Sequence, residues 1–241
     1  MSALCALTFL YLYNMFAYWG RMTFNLMVIA GIGAGTLALV WSSVSTAGTV
    51  RPIDLPSPLR GGSFYVVQGG SNAIVNNHRL GRVRIPAQKF ALDLTMLSPA
   101  GRRSKLMGSR TELSTYHIFG QPVHAPCRGT IVRVVSSFYN TPVSNRRAPA
   151  GNYVAIGCRI GVTVTLAHLD PDIRVVAGEP VEEGGIVGFV GSTGYTSEPH
   201  LHIHAVEGIQ LRERFILFTG TAVPMRIDGT IPYKNQVLDE G

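Results

Sequence analysis

Residues 199–207 read Pro199-His200-Leu201-His202-Ile203-His204-Ala205-Val206-Glu207. In an extended strand, successive side chains point to opposite faces, so residues two apart share a face. Leu201, Ile203 and Ala205 fill one face of this run, and His200, His202 and His204 the other. A half-buried strand turns its apolar face to the core, so the histidine face is expected to line a cleft or a metal. Imidazole is a good Zn²⁺ ligand, and a catalytic zinc site needs three protein ligands and one open position.

The rest of the chain beyond residue 63 follows the same period. Short β-prone runs occupy residues 64–67, 90–94, 129–135, 152–156, 162–167, 174–176, 186–190, 201–206 and 215–218, separated by glycine and proline. No stretch there keeps helical periodicity over three turns. This pattern predicts a mainly β domain, an antiparallel sheet or sandwich with a metal-binding groove. Two longer insertions interrupt it. Residues 98–115 carry Arg102, Arg103, Lys105 and Arg110, and residues 136–151 carry Arg146 and Arg147. Residues 175–191, a strand, a glycine turn and a strand, resemble the sheet core of lipoyl and biotinyl carrier domains. Such a carrier needs a lysine at the hairpin tip, and there is none between Lys105 and Lys234, so the segment reads as scaffold.

The first 50 residues contain Arg21 and no other charged side chain. Within them, residues 3–19 and 24–41 are apolar runs near the lower length limit for a bilayer span, about 17 residues. The expected organisation is a transmembrane anchor at 1–41, of one or two helices, a Ser/Pro/Gly-rich linker at 42–62, and a domain at 63–241. If both runs cross, the positive-inside tendency puts the link at Arg21 in the cytoplasm and the domain outside. The alternative is a signal peptide cleaved near residues 45–48, which also exports the domain. The formal charge is +7, and removing Arg21 leaves 20 basic against 14 acidic residues in 51–241. That surplus favours anionic partners, but no basic run interleaved with aromatics is present, so a nucleic-acid partner is not expected. Cys127 and Cys158 fall in or beside predicted strands; a disulfide suits an exported domain, and two free buried thiols remain the alternative.

Five elements, in order, carry a family resemblance. They are the run from Gly120 to Val132 with Pro122, His124 and Pro126; Gly151-Asn152-Tyr153-Val154; Ala167-His168-Leu169; the glycine-rich hairpin of 178–191; and Gly191-Ser192-Thr193-Gly194 followed by Pro199-His200-Leu201-His202. Together they resemble the lysostaphin-type (LytM-like) zinc metalloendopeptidases over about residues 68–207. The resemblance implies a Zn²⁺ held by a His, an Asp and the second His of His-x-His, which carries over to His78, Asp93 and His202. Asp93 lies in the apolar run Phe90-Ala91-Leu92-Asp93-Leu94, where a buried carboxylate needs a metal or a cation. Fourteen residues separate His78 from Asp93, a wider spacing than the shortest family pattern, and they include Gly81 and Pro86 to return the chain. His168 and His200 match the non-ligand histidines and are the expected acid–base pair. Asn152 is a candidate substrate donor, its alternative being a turn residue that opens a strand. His204 is expected to be supporting or structural, and His117, His124 and Glu198 to have no role in the site.

The implied activity is zinc-dependent hydrolysis of peptide bonds in peptidoglycan stems or cross-bridges, by a domain anchored to the membrane and lying outside the cytoplasm. The alternative from a different class is a silent envelope domain that binds and regulates another wall hydrolase.

Overall fold

The computed structural model describes residues 3–44, 51–70, 76–79, 86–158, 161–208 and 219–239. The chain forms two units, residues 1–42 and 43–241. The first is a single helix, α1 (Ala3–Val44). No proline interrupts it, and it runs through Arg21 without a break. Two spans joined by a link at Arg21 are therefore replaced by one continuous helix, about 63 Å long at 1.5 Å per residue. Its segment Leu10–Ala38 is long and apolar enough to cross a membrane. Asn14, Arg21, Thr23 and Thr36 each bond to a backbone carbonyl three or four residues earlier. The side chains of Asn14, Thr23 and Thr36, and one N–H of the Arg21 guanidinium, thus find partners within the helix itself.

The second unit is built from short strands: β1 (Ile53–Leu55), β2 (Ser63–Gln68), β3 (Leu92–Leu97), β4 (Pro122–His124), β5 (Gly129–Val135), β6 (Asn152–Cys158) and β7 (Val162–Leu169). After them come β8 (Pro180–Val181), β9 (Ile186–Phe189), β10 (Leu201–Glu207), β11 (Thr221–Val223), β12 (Met225–Ile227) and β13 (Val237–Asp239). A nine-stranded sheet runs β13-β2-β3-β10-β7-β6-β5-β8, with β11 pairing the end of β10, and all its pairings are antiparallel. A separate pair, β4–β9, packs its Val123 and Val187 into the core formed by the large sheet. The sheet is therefore one-sided in a regular way. Leu92 and Leu94, Leu201 and Ile203, Val164 and Leu166, and Val154 and Ile156 enter the core. The alternate residues of the same four strands form the opposite face, which carries the site.

Two expectations change in detail. Residues 51–62 are part of the domain rather than linker. The reason is burial: Leu55 and Leu59 are in the core, β1 pairs with β12 in parallel, and Ser57 N–H donates to Asp228. Residues 174–176 are irregular, because they share only the Arg174 N–H to Val187 carbonyl bond with a neighbouring strand. The expected strand at 215–218 lies outside the described residues. Cys127, in the bend before β5, and Cys158, at the end of β6, are joined in a disulfide with a Cα–Cα distance of 5.9 Å.

The bridge closes a loop across 31 residues of sequence, for which constraint of the unfolded chain contributes about 2–4 kcal/mol. The double substitution Cys127→Ser/Cys158→Ser should lower the urea midpoint of the purified protein by a corresponding amount without changing its far-ultraviolet circular dichroism. An unchanged midpoint would show that the bridge is not formed in the protein.

Candidate metal centre and flanking histidines

Strand register assembles the centre. His202 on β10 is the direct cross-strand partner of Asp93 on β3 and of Ala167 on β7. Such partners on one face bring their Cβ atoms to about 5 Å. His202 Nδ1 lies 3.0 Å from Asp93 Oδ1, and His78 Nε2 lies 3.0 Å from Asp93 Oδ2. His78 arrives from a single turn of 3-10 helix, Asn77–Arg79. That turn is tied down by buried Asn76, whose side chain donates to the Gly70 and Ala91 carbonyls and accepts from His78 N–H. The donor atoms of His78, Asp93 and His202 all lie within 4.8 Å of one another. Two imidazoles and a carboxylate this close, with Asp93 and His202 buried, are a donor set that suits a divalent ion such as Zn²⁺.

Behind His202 stands His204, fully buried, with Nδ1 3.0 Å from His202 Nε2. The bond between the two rings can run in either direction, so His202 Nδ1–H donates to Asp93 or, were an ion held there, Nδ1 would offer it a lone pair while Nε2–H is donated to His204. The second arrangement is the outer support that metal-ligating histidines commonly have.

His168 reaches the same face by an irregularity. Strict alternation would turn it into the core, since Leu166 is a core residue two positions earlier. The β6–β7 register shifts between Asn152 and Tyr153, leaving His168 as the extra residue of a bulge, and its φ is +62°. Bulges re-aim side chains in this way, and the left-handed backbone costs a non-glycine residue about 1–2 kcal/mol. His168 then lies with its ring centroid 4.6 Å from that of His200 and 5.8 Å from that of His202. Its Nδ1–H donates to the Thr193 carbonyl at 2.8 Å, and His200 Nδ1–H donates to the Glu198 carbonyl at 2.8 Å. Both rings therefore carry their second nitrogen, Nε2, away from these backbone anchors. His200 Nε2 lies 3.6 Å from Asp93 Oδ1.

The glycines of Gly191-Ser192-Thr193-Gly194 make the Thr193 anchor possible. Gly194 has φ +88°, and a Cβ there would stand 2.4 Å from Gly151 N and 2.7 Å from the Pro149 carbonyl. The two loops thus pack backbone to backbone, which holds the Thr193 carbonyl beneath His168.

Burial and charge act against each other at these groups. Burial would raise Asp93, but the neighbouring His78 and His200 and the hydrogen bonds from His202 and His78 outweigh it and hold Asp93 well below the usual carboxylate range. Burial would lower His78, and the adjacent Asp93 more than reverses this. For His202, burial prevails over Asp93 and lowers the pKa. His168 is held well below the ordinary imidazole value by burial, then by charge on His200 and His202. A neutral His168 at neutral pH is the form able to accept a proton.

The structure brings together His78, Asp93, His202, His168 and His200. It does not place Asn152 as a substrate donor. That side chain is fully buried, its amide donates to the Phe138 and Leu169 carbonyls, and its oxygen accepts from Phe138 N–H. One amide bond holds Phe138 of the 136–151 loop and the other Leu169 of β7, so the amide is committed within the fold. His124 bonds to the Gly184 carbonyl on the β4 side, outside the site. The anchors Thr193 and Glu198 are roles that reading the sequence missed. The Gly-Ser-Thr-Gly motif marked the first, but as backbone acceptors neither has a side-chain signature.

Residues 114–212 match the model of Peptidase family M23. That span holds His168, His200 and His202, while His78 and Asp93 precede it and rest on the geometry above. Among solved structures, the chain is similar to lysostaphin from Staphylococcus simulans, at 24% identity over 48% of this chain and 36% of that one, TM-score 0.33. It is similar to the catalytic domain, in a mutant form, of the prophage-encoded M23 protein EnpA from Enterococcus faecalis, at 19% identity over 69% and 92%, TM-score 0.42. A putative peptidase M23 from Pseudomonas aeruginosa is similar at 20% identity over 66% and 47%, TM-score 0.38. The chain spans 36% of the length of two of the lysostaphin structures that it matches. No curated protein is close enough in sequence to match.

Asp93 is the shared partner of both imidazoles, so Asp93→Ala should remove most bound divalent metal from the purified protein, measured by plasma emission. Stoichiometric metal of unchanged affinity in that variant would show that the three residues are not the ligands.

Proposed function

We propose, from the premise that this chain carries a Peptidase family M23 domain over residues 114–212, that it is a zinc-dependent endopeptidase of bacterial cell-wall peptide. The bond it cuts lies in peptidoglycan stems or cross-bridges. The observation that carries the reading is the juxtaposition of the His78, Asp93 and His202 donors with two backbone-anchored imidazoles, those of His168 and His200. Zinc held by those donors would polarise the scissile carbonyl and lower the pKa of a bound water to about 7.

The chain's own residues do the rest. Asp93 and the ring of His204 hold His202 in one orientation from opposite sides. The Thr193 and Glu198 carbonyls fix the Nδ1–H tautomer of His168 and His200, leaving each Nε2 lone pair for proton transfer. One imidazole accepts a proton from the attacking water as the new C–O bond forms. A proton is delivered to the departing amine nitrogen as the C–N bond breaks, so the imidazoles end as they began. Tyr153 and Ala167, buried beside the site, give it an apolar floor.

For location, we read α1 as one membrane span and the domain as extracytoplasmic. The Cys127–Cys158 bridge supports this, since disulfides persist in oxidising compartments.

Two substitutions separate proton transfer from metal binding. His168→Gly suits the left-handed backbone at that position, so relief of strain offsets lost packing, and His200→Ala removes the other ring. Each should keep zinc near the parent level and lower turnover of a defined muropeptide by about 10²–10⁴-fold. Full activity in both would refute the mechanism. Full zinc with no cleavage by the parent protein, on every wall type tried, would favour the regulatory domain instead.

A further inference from the structure

Beside the catalytic face lies a second feature that the proposed chemistry does not use. The β3–β4 connection folds back on itself. Ser104 and Tyr116 form an antiparallel bridge, Lys105 N–H donates to the Thr115 carbonyl, and His117 N–H donates to the Arg103 carbonyl. This ordered arm forms one wall of a pocket of about 510 Å³, whose other wall is Ser197 and Glu198. Arg102, Arg103, Lys105 and Arg110 all line it, against the single carboxylate of Glu198. Arg103 pairs with Glu198, and among the described residues Arg102, Lys105 and Arg110 have no carboxylate partner. The pocket therefore keeps a surplus of positive charge.

Its position gives that charge a meaning. Glu198 both walls the pocket and, through its carbonyl, anchors His200. Two residues of extended chain span about 7 Å. A peptide lying across His168 and His200 would therefore carry a group into the pocket one or two residues from the scissile bond. Guanidinium groups recognise carboxylates through paired, charge-assisted hydrogen bonds, and a carboxamide of the same shape offers no charge to them.

We infer that this pocket reads a free carboxylate on the substrate peptide, one or two residues from the bond that is cut, and so discriminates carboxylate-bearing wall peptides from those amidated at the same group. The inference rests on the proposed peptidase function for its choice of ligand. Contacts made equally in the ground and transition states act on KM rather than kcat, so discrimination should appear mainly in KM.

The test uses the full chain in detergent with two synthetic stem peptides that differ only in carboxylate against carboxamide. Cleavage of each is followed by chromatography, and binding of each to the His168→Gly protein by equilibrium dialysis. The expected result is at least a roughly tenfold preference for the carboxylate in kcat/KM and in binding. That ratio should fall toward one in Lys105→Gln/Arg110→Gln and shrink in the parent as salt is raised. Cleavage of both peptides at equal kcat/KM, with the double variant unaltered, overturns the inference and leaves the peptidase reading standing. A preference in binding without cleavage of either peptide supports the inference and contradicts the peptidase reading. Binding of neither peptide overturns the inference. So does binding of a glycerol-phosphate polymer that the double variant loses while the two peptides are not distinguished.

Discussion

Asp93 is a carboxylate in the middle of a sheet, and the cost of keeping it there constrains everything built around it. Its strand neighbours Leu92 and Leu94 are core residues, and its own side chain is almost wholly removed from water. An ionised carboxylate in such a place is tolerated only with compensating charge or hydrogen bonds. His202 and His78 supply these from two sides, each at 3.0 Å, with His200 a little farther at 3.6 Å. The register between β3 and β10 is thus tied to the chemistry. A slip of β3 by one residue would turn Asp93 into the core, away from His202, and put Leu92 and Leu94 on the face that carries the site.

From that pairing the remaining features follow as adjustments to a regular sheet. β7 has the right neighbours but the wrong parity to offer His168 to the groove. The bulge against β6, with its left-handed φ, corrects the parity at a cost in backbone strain. Strain of this kind persists where surrounding contacts over-determine the backbone. Here the Thr193 carbonyl and the close packing of Gly194 against Gly151 do so. The buried polar residues Asn76 and Asn152 serve the same end, Asn76 tying down the turn that carries His78 and Asn152 joining Phe138 to the end of β7.

What could be read in the sequence was what obeys a period. The alternation of His200-Leu201-His202-Ile203-His204 placed a strand and its histidine face, and the lone Asp93 in an apolar run marked its need for a cation. The long-range choices were less legible. Asn152 stands beside a recognisable motif, yet its amide is committed to Phe138 and Leu169, 14 and 17 residues away in sequence. Arg21 looked like a break between two spans, but a helix without proline or a turn residue pair continues through one charge. Residues 51–62, rich in Pro and Gly, read as linker because composition cannot reveal that Leu55 and Leu59 find a core. The arm carrying Arg102 to Arg110 looked like a basic insertion, and only its fold against Glu198 relates it to the site.

The central claim is that β3, β10 and the turn at His78 jointly hold one zinc ion. X-ray absorption at the zinc edge, on the purified full chain, tests it most directly. The expected spectrum has a first shell of nitrogen and oxygen at about 2.0–2.1 Å, with the outer-shell scattering of two imidazoles. A first shell of sulfur at about 2.3 Å, or one lacking imidazole scattering, would contradict it.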